Sequence, residues 1–262
     1  MKHFLLSLDN HPEAATVDLR SPLSRLLGLV FPPLGLTLRA AGSMDGGTTG
    51  GVALRRTFLE KLGFPDETVC HCHQTHTRRV FLVDREPVKD REGDGLVCGG
   101  ASTLVLTVTA ADCMPVYLYD PVTGARGLCH SGWKGTGIAG DAVALMEKDL
   151  GCRRENLVAV LGPCIGSCCY RVDRERWNLF RSLWGDQGVA RREKDYVLDL
   201  RGANRGLLEK AGVGTLVDWD LCTACSPLTG SFRREKDQYT RMMAYLGPAR
   251  HGGGIPAILP ER

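Results

Sequence analysis

Two short apolar segments on either side of a compact turn constrain the fold of this chain more than any other feature. The segments are residues 114–119 (MPVYLY) and 125–129 (ARGLC), and residues 120–124 (DPVTG) separate them. Asp, Pro and Gly favour turns for different backbone reasons, so the pattern predicts an antiparallel hairpin. The midpoint of positions 113 and 130 falls inside the turn. Pairing about that midpoint would place Cys113 opposite His130, with Cβ atoms about 5 Å apart.

A cysteine and a histidine at this separation suit two kinds of site. The thiolate and the imidazole can share a metal ion, or the imidazole can act as the base of a cysteine nucleophile. After His130 comes a glycine-rich segment, residues 131–137 (SGWKGTG), which leads into a predicted helix from about Ile138. Glycines let backbone N–H groups approach a ligand, and a helix start favours an anion. We therefore interpret residues 109–135 as the candidate active site.

A catalytic zinc ion normally has three protein ligands and one open position, and one Cys with two His is a known ligand set. Cys113 and His130 supply two of these ligands. The third is expected in the histidine-rich segment of residues 69–80, at His71, His73 or His76. The spacing of the three histidines does not choose among them.

The cysteines suggest a second candidate metal site. Cys222-x-x-Cys225 has metal-ligand spacing, and the adjacent Cys168 and Cys169 are available as further ligands for a structural zinc. The total of 11 cysteines is odd, and residues 1–15 do not resemble a signal peptide, so we expect reduced thiols and a cytoplasmic location. Most of the other cysteines are expected to be core residues.

Composition excludes several classes of function. The 33 basic and 30 acidic residues are spread along the chain and give a net charge of +3, without a basic tail or patch, so nucleic acid is not an expected partner. No stretch reaches the roughly 20 apolar residues of a membrane span. No obligate protein partner is evident.

Predicted strands and helices alternate along the chain. Strands are expected at residues 104–108, 157–161, 196–200 and 215–219, and helices at 52–62, 138–150, 173–184 and 203–211. The sequence has neither the dinucleotide-binding glycine fingerprint nor a P-loop, and no linker divides it. These features predict a single α/β (α+β) domain over residues 1–262, with residues 1–50 the least defined.

Several motifs occur in a fixed order between about residues 52 and 245. They are Gln74-Thr75-His76, Ala111-Asp112-Cys113 with Pro115-Val116, His130-Ser131-Gly132-Trp133-Lys134-Gly135, Gly162-Pro163 with Cys168-Cys169-Tyr170, Asp199-Leu200 with Asn204, and Cys222-Thr223 before Ser231-Phe232-Arg233-Arg234. In these motifs the chain resembles the YfiH family, also called the laccase-domain or multi-copper polyphenol oxidoreductase family.

The resemblance implies a zinc ion bound by His76, Cys113 and His130, and a single-domain four-layer α/β/β/α sandwich with mixed sheets. It also implies phosphorolysis of purine nucleosides (adenosine, inosine and methylthioadenosine) by inorganic phosphate, with adenosine deaminase activity. A family arginine thought to contact phosphate lies about twenty residues before the Gln-x-His motif, and Arg55 and Arg56 both fit that place.

The sequence departs from the family pattern in three places. The segment Arg39–Gly51 is barely recognisable, Lys134 stands where Arg is common, and Thr240 stands where Gly is usual. These departures bear on the choice of substrate more than on the binding of the metal ion. Phosphorolysis requires a cationic pocket, for which the sequence offers Arg55, Arg56, Lys134 and Arg233.

Three other functions are compatible with parts of the pattern. One is a metal-free Cys/His hydrolase or amidase, for which the family suggests the editing of peptidoglycan precursors. Another is a non-enzymatic binding protein that retains the fold. The third, a copper-dependent polyphenol oxidase, is disfavoured because seven histidines in all are too few for a multi-copper cluster.

Overall fold

The computed structural model describes residues 1–6 and 15–248. These residues form six α-helices, which are α1 (Arg20–Leu27), α2 (Thr49–Lys61), α3 (Ile138–Leu150), α4 (Arg174–Trp184), α5 (Leu200–Lys210) and α6 (Phe232–Glu235). Residues 7–14 and 249–262 lie outside the described part of the chain, so the single domain predicted over residues 1–262 stays a prediction at its ends.

The strands of the described residues follow in chain order. They are β1 (Lys2–Leu6), β2 (Thr16–Asp18), β3 (Leu34–Thr37), β4 (Val69–Cys70), β5 (Cys72–His73), β6 (Val80–Leu82), β7 (Arg91–Glu92), β8 (Gly95–Cys98), β9 (Val105–Ala110), β10 (Met114–Tyr119), β11 (Arg126–Ser131), β12 (Val158–Leu161), β13 (Arg171–Val172), β14 (Val189–Arg192), β15 (Asp195–Leu198), β16 (Thr215–Trp219) and β17 (Met242–Leu246).

Two mixed sheets contain most of these strands. The larger sheet has seven strands in the order β1-β16-β12-β10-β11-β8-β6, with antiparallel pairing from β12 through β8 and parallel pairing at both edges. The smaller sheet has five strands in the order β2-β3-β17-β9-β4 and is antiparallel except for the pair β9 and β4.

The two sheets pack face to face. Successive side chains of a strand point to opposite faces of its sheet, so each sheet directs one face toward the other sheet and its second face outward. On β17, Ala244 and Leu246 join the apolar core between the sheets, whereas Tyr245 points outward and its ring centroid lies 5.9 Å from that of Phe58 of α2. On the larger sheet, the outward residues of β10 and β12 pack against α3 and α5. The layers are therefore helix, sheet, sheet and helix, which confirms the predicted α/β/β/α sandwich with mixed sheets.

The helices have the local signals that define their ends. Helix α3 buries Ile138, Val143 and Met146 on one face, and Gly151 ends it in the left-handed conformation at φ 66°. The Asp173 side chain accepts a hydrogen bond from the Arg176 N–H and caps α4. No helix of the described residues is long and apolar enough to cross a membrane.

Strands β10 and β11 form the predicted hairpin, but the predicted pairing of Cys113 with His130 is wrong by two residues. Pro115 is the residue opposite His130. The centre of the turn lies one position further along the chain than expected, between Val122 and Thr123, because the Asp120 N–H donates to the Ala125 carbonyl at 2.9 Å and pairs these two residues. Cys113 consequently precedes β10 and approaches His130 diagonally.

Candidate metal centre and substrate cavity

Three chain segments bring His76, Cys113 and His130 together at one end of the interface between the sheets. His76 follows β5, His130 lies on β11, and Cys113 lies in the connection that crosses from β9 of the smaller sheet to β10 of the larger one. One ligand atom of each residue lies within 4.8 Å of the other two. The His76 and His130 rings have centroids 5.0 Å apart. The geometry thus selects His76 over His71 and His73 as the neighbour of the Cys/His pair.

Asp94 holds both histidines in place. It is fully buried, and its Oδ1 lies 2.8 Å from Nδ1 of His130 and accepts the His76 N–H at 3.1 Å. Its Oδ2 accepts the N–H and the hydroxyl of Thr77 at 2.6 and 2.8 Å. When Nδ1–H of His130 donates to this carboxylate, Nε2 is left with its lone pair toward Cys113, which is the usual arrangement behind a metal-bound histidine.

The buried charges of the centre support one another. Burial alone would raise the pKa of Asp94, but the hydrogen bonds from His130 and Thr77 outweigh it and lower that pKa. Burial would also raise the pKa of Cys113, and His130 and His76 instead lower it to about 6. Burial disfavours protonated His130, yet Cys113 and Asp94 raise the pKa of its imidazole. The thiol is therefore predisposed to be a thiolate, the form that binds metals.

Position 132 requires glycine because the backbone there lies close to the side chains of Cys113 and His76. A Cβ atom at this position would lie 2.8 Å from Sγ of Cys113 and 2.9 Å from Cδ2 of His76. Gly135 would meet the Thr77 carbonyl at 2.8 Å. These two glycines of the segment predicted to bind an anion therefore provide space for the metal ligands and the Thr77 backbone.

The donor set fits the implied zinc ion. Two neutral imidazoles and a thiolate satisfy the preference of zinc for N and S ligands, and the Asp94 carboxylate behind His130 completes the orientation of that ligand. Cys113 is partly accessible and His76 exposed, so one side of the centre faces a cavity.

A cavity of about 440 Å³ opens beside the metal ligands. Its walls include aromatic and apolar side chains together with three arginines. The aromatic residues are Trp133, Tyr170, Phe232 and Tyr239, and the arginines are Arg176, Arg233 and Arg241. Cavities of this size and mixed character bind small organic molecules.

A second cavity, of about 410 Å³, adjoins the first and shares Gln74, Thr109 and Arg241 with it. Gln74 forms this common wall because its side-chain amide pairs with the Thr109 backbone, donating to the carbonyl and accepting from the N–H, each at 2.8 Å. Arg55 and Arg56 both line this second cavity.

The two arginines differ in their surroundings. Arg56 is exposed and lies 3.7 Å from the carboxylate of Asp66. Arg55 is partly buried, and burial lowers the pKa of its guanidinium although Asp90 and Asp45 act in the opposite direction. Among the described residues, no carboxylate oxygen lies within 4.0 Å of the Arg55 guanidinium. The positive charge of Arg55 is thus less compensated by a close carboxylate than that of Arg56.

Of the other residues predicted to bind substrate, Arg233 lines the first cavity and Lys134 does not. The Arg233 guanidinium donates to the carbonyls of Cys169 and Arg171 at 2.8 and 3.1 Å. Lys134 is exposed, with Nζ 5.5 Å from the centroid of the Trp133 ring. Substrate binding by these residues stays a prediction.

Sequence reasoning missed Asp94, Arg176 and Arg241. Asp94 precedes Gly95 just before a buried strand, and nothing in the local sequence connects it with His130. Asp112, the residue before Cys113, acts as a hydrogen-bond acceptor at a turn. Its carboxylate accepts the Thr223 hydroxyl at 2.7 Å and the Arg233 N–H at 2.6 Å, and it stabilises the tight turn before Cys113, where its φ is 82°.

Comparison with known proteins identifies the family of this chain. The family model described as multi-copper polyphenol oxidoreductase laccase matches residues 48–248. The chain belongs to this family. A purine nucleoside phosphorylase of Deinococcus radiodurans is 34% identical over 246 residues, which cover 88% of this chain and 95% of that protein. The purine nucleoside phosphorylase YlmD of Geobacillus stearothermophilus is 35% identical over 214 residues, covering 74% and 77% of the two chains.

Solved structures show the same relationship. The crystal structure of YlmD from Geobacillus stearothermophilus superposes with a TM-score of 0.74 at 30% identity, covering 83% of this chain and 92% of that one. A Bacillus licheniformis protein described as hypothetical protein YfiH gives a TM-score of 0.75 with the same identity and coverage. The family resemblance and the fold predicted from the sequence motifs are therefore confirmed.

Proposed function

We propose that the protein is a cytoplasmic, zinc-dependent purine nucleoside phosphorylase that acts on adenosine, inosine and methylthioadenosine and also deaminates adenosine. The observation that carries the proposal is the convergence of His76, Cys113 and His130 beside a cavity lined by aromatic side chains and arginines. The names of the relatives from Deinococcus and Geobacillus support the phosphorylase activity.

His76, Cys113 and His130 would hold the zinc ion, with Asp94 fixing the tautomer of His130. When bound, zinc supplies a Lewis acid that polarises an oxygen or nitrogen ligand. The protein residues position the reactants around it. A multi-copper oxidase is a poorer match, because the two ligand clusters of the described residues are this set and a group of four cysteines.

The first cavity suits a nucleoside. Tyr170, Phe232 and Tyr239 offer aromatic surface for a purine ring, and Phe232 and Tyr239 already pack edge to face with centroids 5.2 Å apart. Burial of the base between such rings would leave the ribose near the metal ligands.

The second cavity suits inorganic phosphate. Phosphate has between one and two negative charges near neutral pH. Arg55 provides a guanidinium without a carboxylate oxygen of the described residues within 4.0 Å, although Asp45, Asp66 and Asp90 also line this cavity. Arg241 lies on the common wall and can serve both reactants. Each charge-assisted hydrogen bond contributes about 1.5–3 kcal/mol. In phosphorolysis, a phosphate oxygen bonds to C1′ of the ribose while the glycosidic bond breaks and the purine leaves with a proton.

A second candidate function is a metal-free cysteine hydrolase. The observation that favours it is the thiolate–imidazolium character of Cys113 and His130, since His130 lowers the pKa of Cys113. Activity of fully zinc-depleted protein on amide substrates would support this alternative, whereas the phosphorylase needs the metal.

The test of the proposed function measures release of ribose 1-phosphate from adenosine and inosine at varied phosphate concentrations. Arg55→Ala should lower kcat/KM for phosphate by about one to two decades. Arg56→Ala, the matched control from the same helix and cavity, should change it by less than about threefold, because exposed ion pairs contribute little. Cleavage at the same rate without phosphate, with release of free ribose, would show that the enzyme is a hydrolase.

A further inference from the structure

Four cysteines form a second cluster, separate from the candidate metal centre. Cys168 and Cys169 lie in the loop that follows β12, and Cys222 and Cys225 lie in the loop that follows β16. Strands β12 and β16 are parallel neighbours in the seven-stranded sheet, so both loops leave the same edge of that sheet. The bridge between Cys164 and Cys222 extends this pairing into the loops. The topology therefore brings the two cysteine pairs together.

The distances among the thiols match metal coordination and not a disulfide. All four Sγ atoms lie within 4.8 Å of one another, and Sγ of Cys225 lies 3.6 Å from Sγ of Cys168 and 3.3 Å from that of Cys169. A disulfide requires about 2.05 Å between sulfurs. A tetrahedron with Zn–S bonds of about 2.3 Å has edges of about 3.8 Å. The cluster needs only small shifts to reach the second geometry.

The backbone around the cluster is arranged for a thiolate site. The Gly166 N–H donates to Sγ of Cys222 at 3.2 Å, a contact typical of the hydrogen bonds that orient metal-bound thiolates. A Cβ atom at Gly166 would lie 3.1 Å from Sγ of Cys168 and 3.2 Å from Cβ of Cys222. The glycine therefore allows the loop to approach both cysteines.

Two arginines hold the loops, and one of them places positive charge beside the cluster. The Arg234 guanidinium donates to the carbonyls of Thr223 and Ser226 at 2.8 and 2.7 Å, which fixes the loop that contains Cys222 and Cys225. Arg233 donates to the carbonyl of Cys169 at 2.8 Å. Four thiolates around a divalent cation have a net charge of −2, and the Arg233 guanidinium reduces its electrostatic cost, whereas the charge of Arg234 is paired with Glu235 at 2.6 Å.

We propose that Cys168, Cys169, Cys222 and Cys225 bind a structural Zn²⁺ ion in a tetrahedral tetrathiolate site. Closed sites with four protein ligands are structural, because no position is left for a substrate or water. The ion ties together two loops that reach the substrate cavity. Ile165 and Tyr170 line that cavity from the first loop, and the Thr223 hydroxyl of the second loop bonds to Asp112 beside Cys113.

The experiment is elemental analysis of purified, zinc-replete variants. We expect two zinc ions per chain in the wild type and one in Cys113→Ala. The double variant Cys168→Ser/Cys225→Ser should lose the other zinc ion, and Cys152→Ser, which alters a buried thiol outside both clusters, should lose none. If the double variant keeps the wild-type zinc content, the tetrathiolate proposal is wrong. If instead Cys113→Ala keeps the wild-type content, the proposed catalytic zinc is wrong.

A second measurement does not depend on folding of the double variant. Zinc K-edge X-ray absorption of the Cys113→Ala protein should show a shell of four sulfur atoms at about 2.3 Å. Three results would each overturn the assignment. The absorption spectrum could show nitrogen or oxygen in the shell, or iron in place of zinc. An intact mass two hydrogens lighter would reveal a disulfide.

Discussion

Replacement of Asp94 by Asn tests the structure of the candidate metal centre most directly. The carboxylate accepts four hydrogen bonds, two at each oxygen, from His76, Thr77 and His130. A carboxamide keeps one acceptor oxygen, which can satisfy two of these donors. Its NH₂ group faces the other pair. If the NH₂ group lies beside His130, that histidine must present an acceptor at Nδ1, and its proton then moves to Nε2, where it blocks the metal.

The expected magnitudes follow from this arrangement. In either orientation one buried backbone N–H, that of His76 or of Thr77, is left without a partner, because the His130 imidazole or the Thr77 hydroxyl can accept from the NH₂ group. One such donor costs about 1–3 kcal/mol, so the free energy of unfolding should fall by about that amount. Loss of a carboxylate behind a metal-bound histidine lowers metal affinity by about 10–100-fold. Zinc affinity is measured by competition with a chromophoric chelator, and stability by urea denaturation at low temperature.

The matched control is Asp120→Asn. Asp120 is also fully buried, but its carboxylate accepts the Val122 N–H in the hairpin turn, remote from the metal ligands. This variant should lose some stability and retain zinc affinity. Asp94→Asn protein with zinc affinity within about threefold of wild type would refute the assigned role of Asp94.

Two further predictions concern the same centre. Gly132→Ala introduces a methyl group 2.8 Å from Sγ of Cys113 and should weaken zinc binding by about 1–3 kcal/mol in the chelator assay, whereas Gly140→Ala, where a Cβ meets nothing within 4 Å, should not. In zinc-depleted protein the pKa of Cys113 is lowered to about 6, so its alkylation by iodoacetamide should be nearly constant above pH 7 and fall as the pH drops through 6. A labelling rate that keeps rising up to pH 9 would contradict this, and Cys113→Ala gives the background from other thiols.

Much of the fold could be predicted because its local signals are strong. Helix α3 begins and ends where the apolar spacing and Gly151 indicated, and β16 has the predicted bounds. The prediction for the region around Asp199 was less accurate. It was assigned to the end of a strand, whereas its side chain accepts the Gly202 N–H and begins α5 three residues earlier than predicted.

The interactions that the sequence did not reveal depend on tertiary structure. The hairpin register was misjudged because it depends on the hydrogen bonds of the turn, and the bond from Asp120 to Ala125 has no signature in the amino-acid composition. Asp94 is 36 positions from His130, so only the pairing of β8 with β11 shows that they meet. The sequence likewise offered Arg55 and Arg56 as equals, and burial distinguishes them.

The crossing of the chain between the sheets at Cys113 has a consequence for folding. Neither sheet alone contains a complete ligand set, because His130 belongs to the larger sheet and Cys113 occupies the connection to the smaller one. Metal binding is therefore linked to docking of the two sheets, and a bound ion stabilises the docked state by RT ln(1 + [metal]/Kd). The rates of slow amide hydrogen exchange in β9 and in β11 should therefore change together when zinc binds, as expected for one cooperative unit.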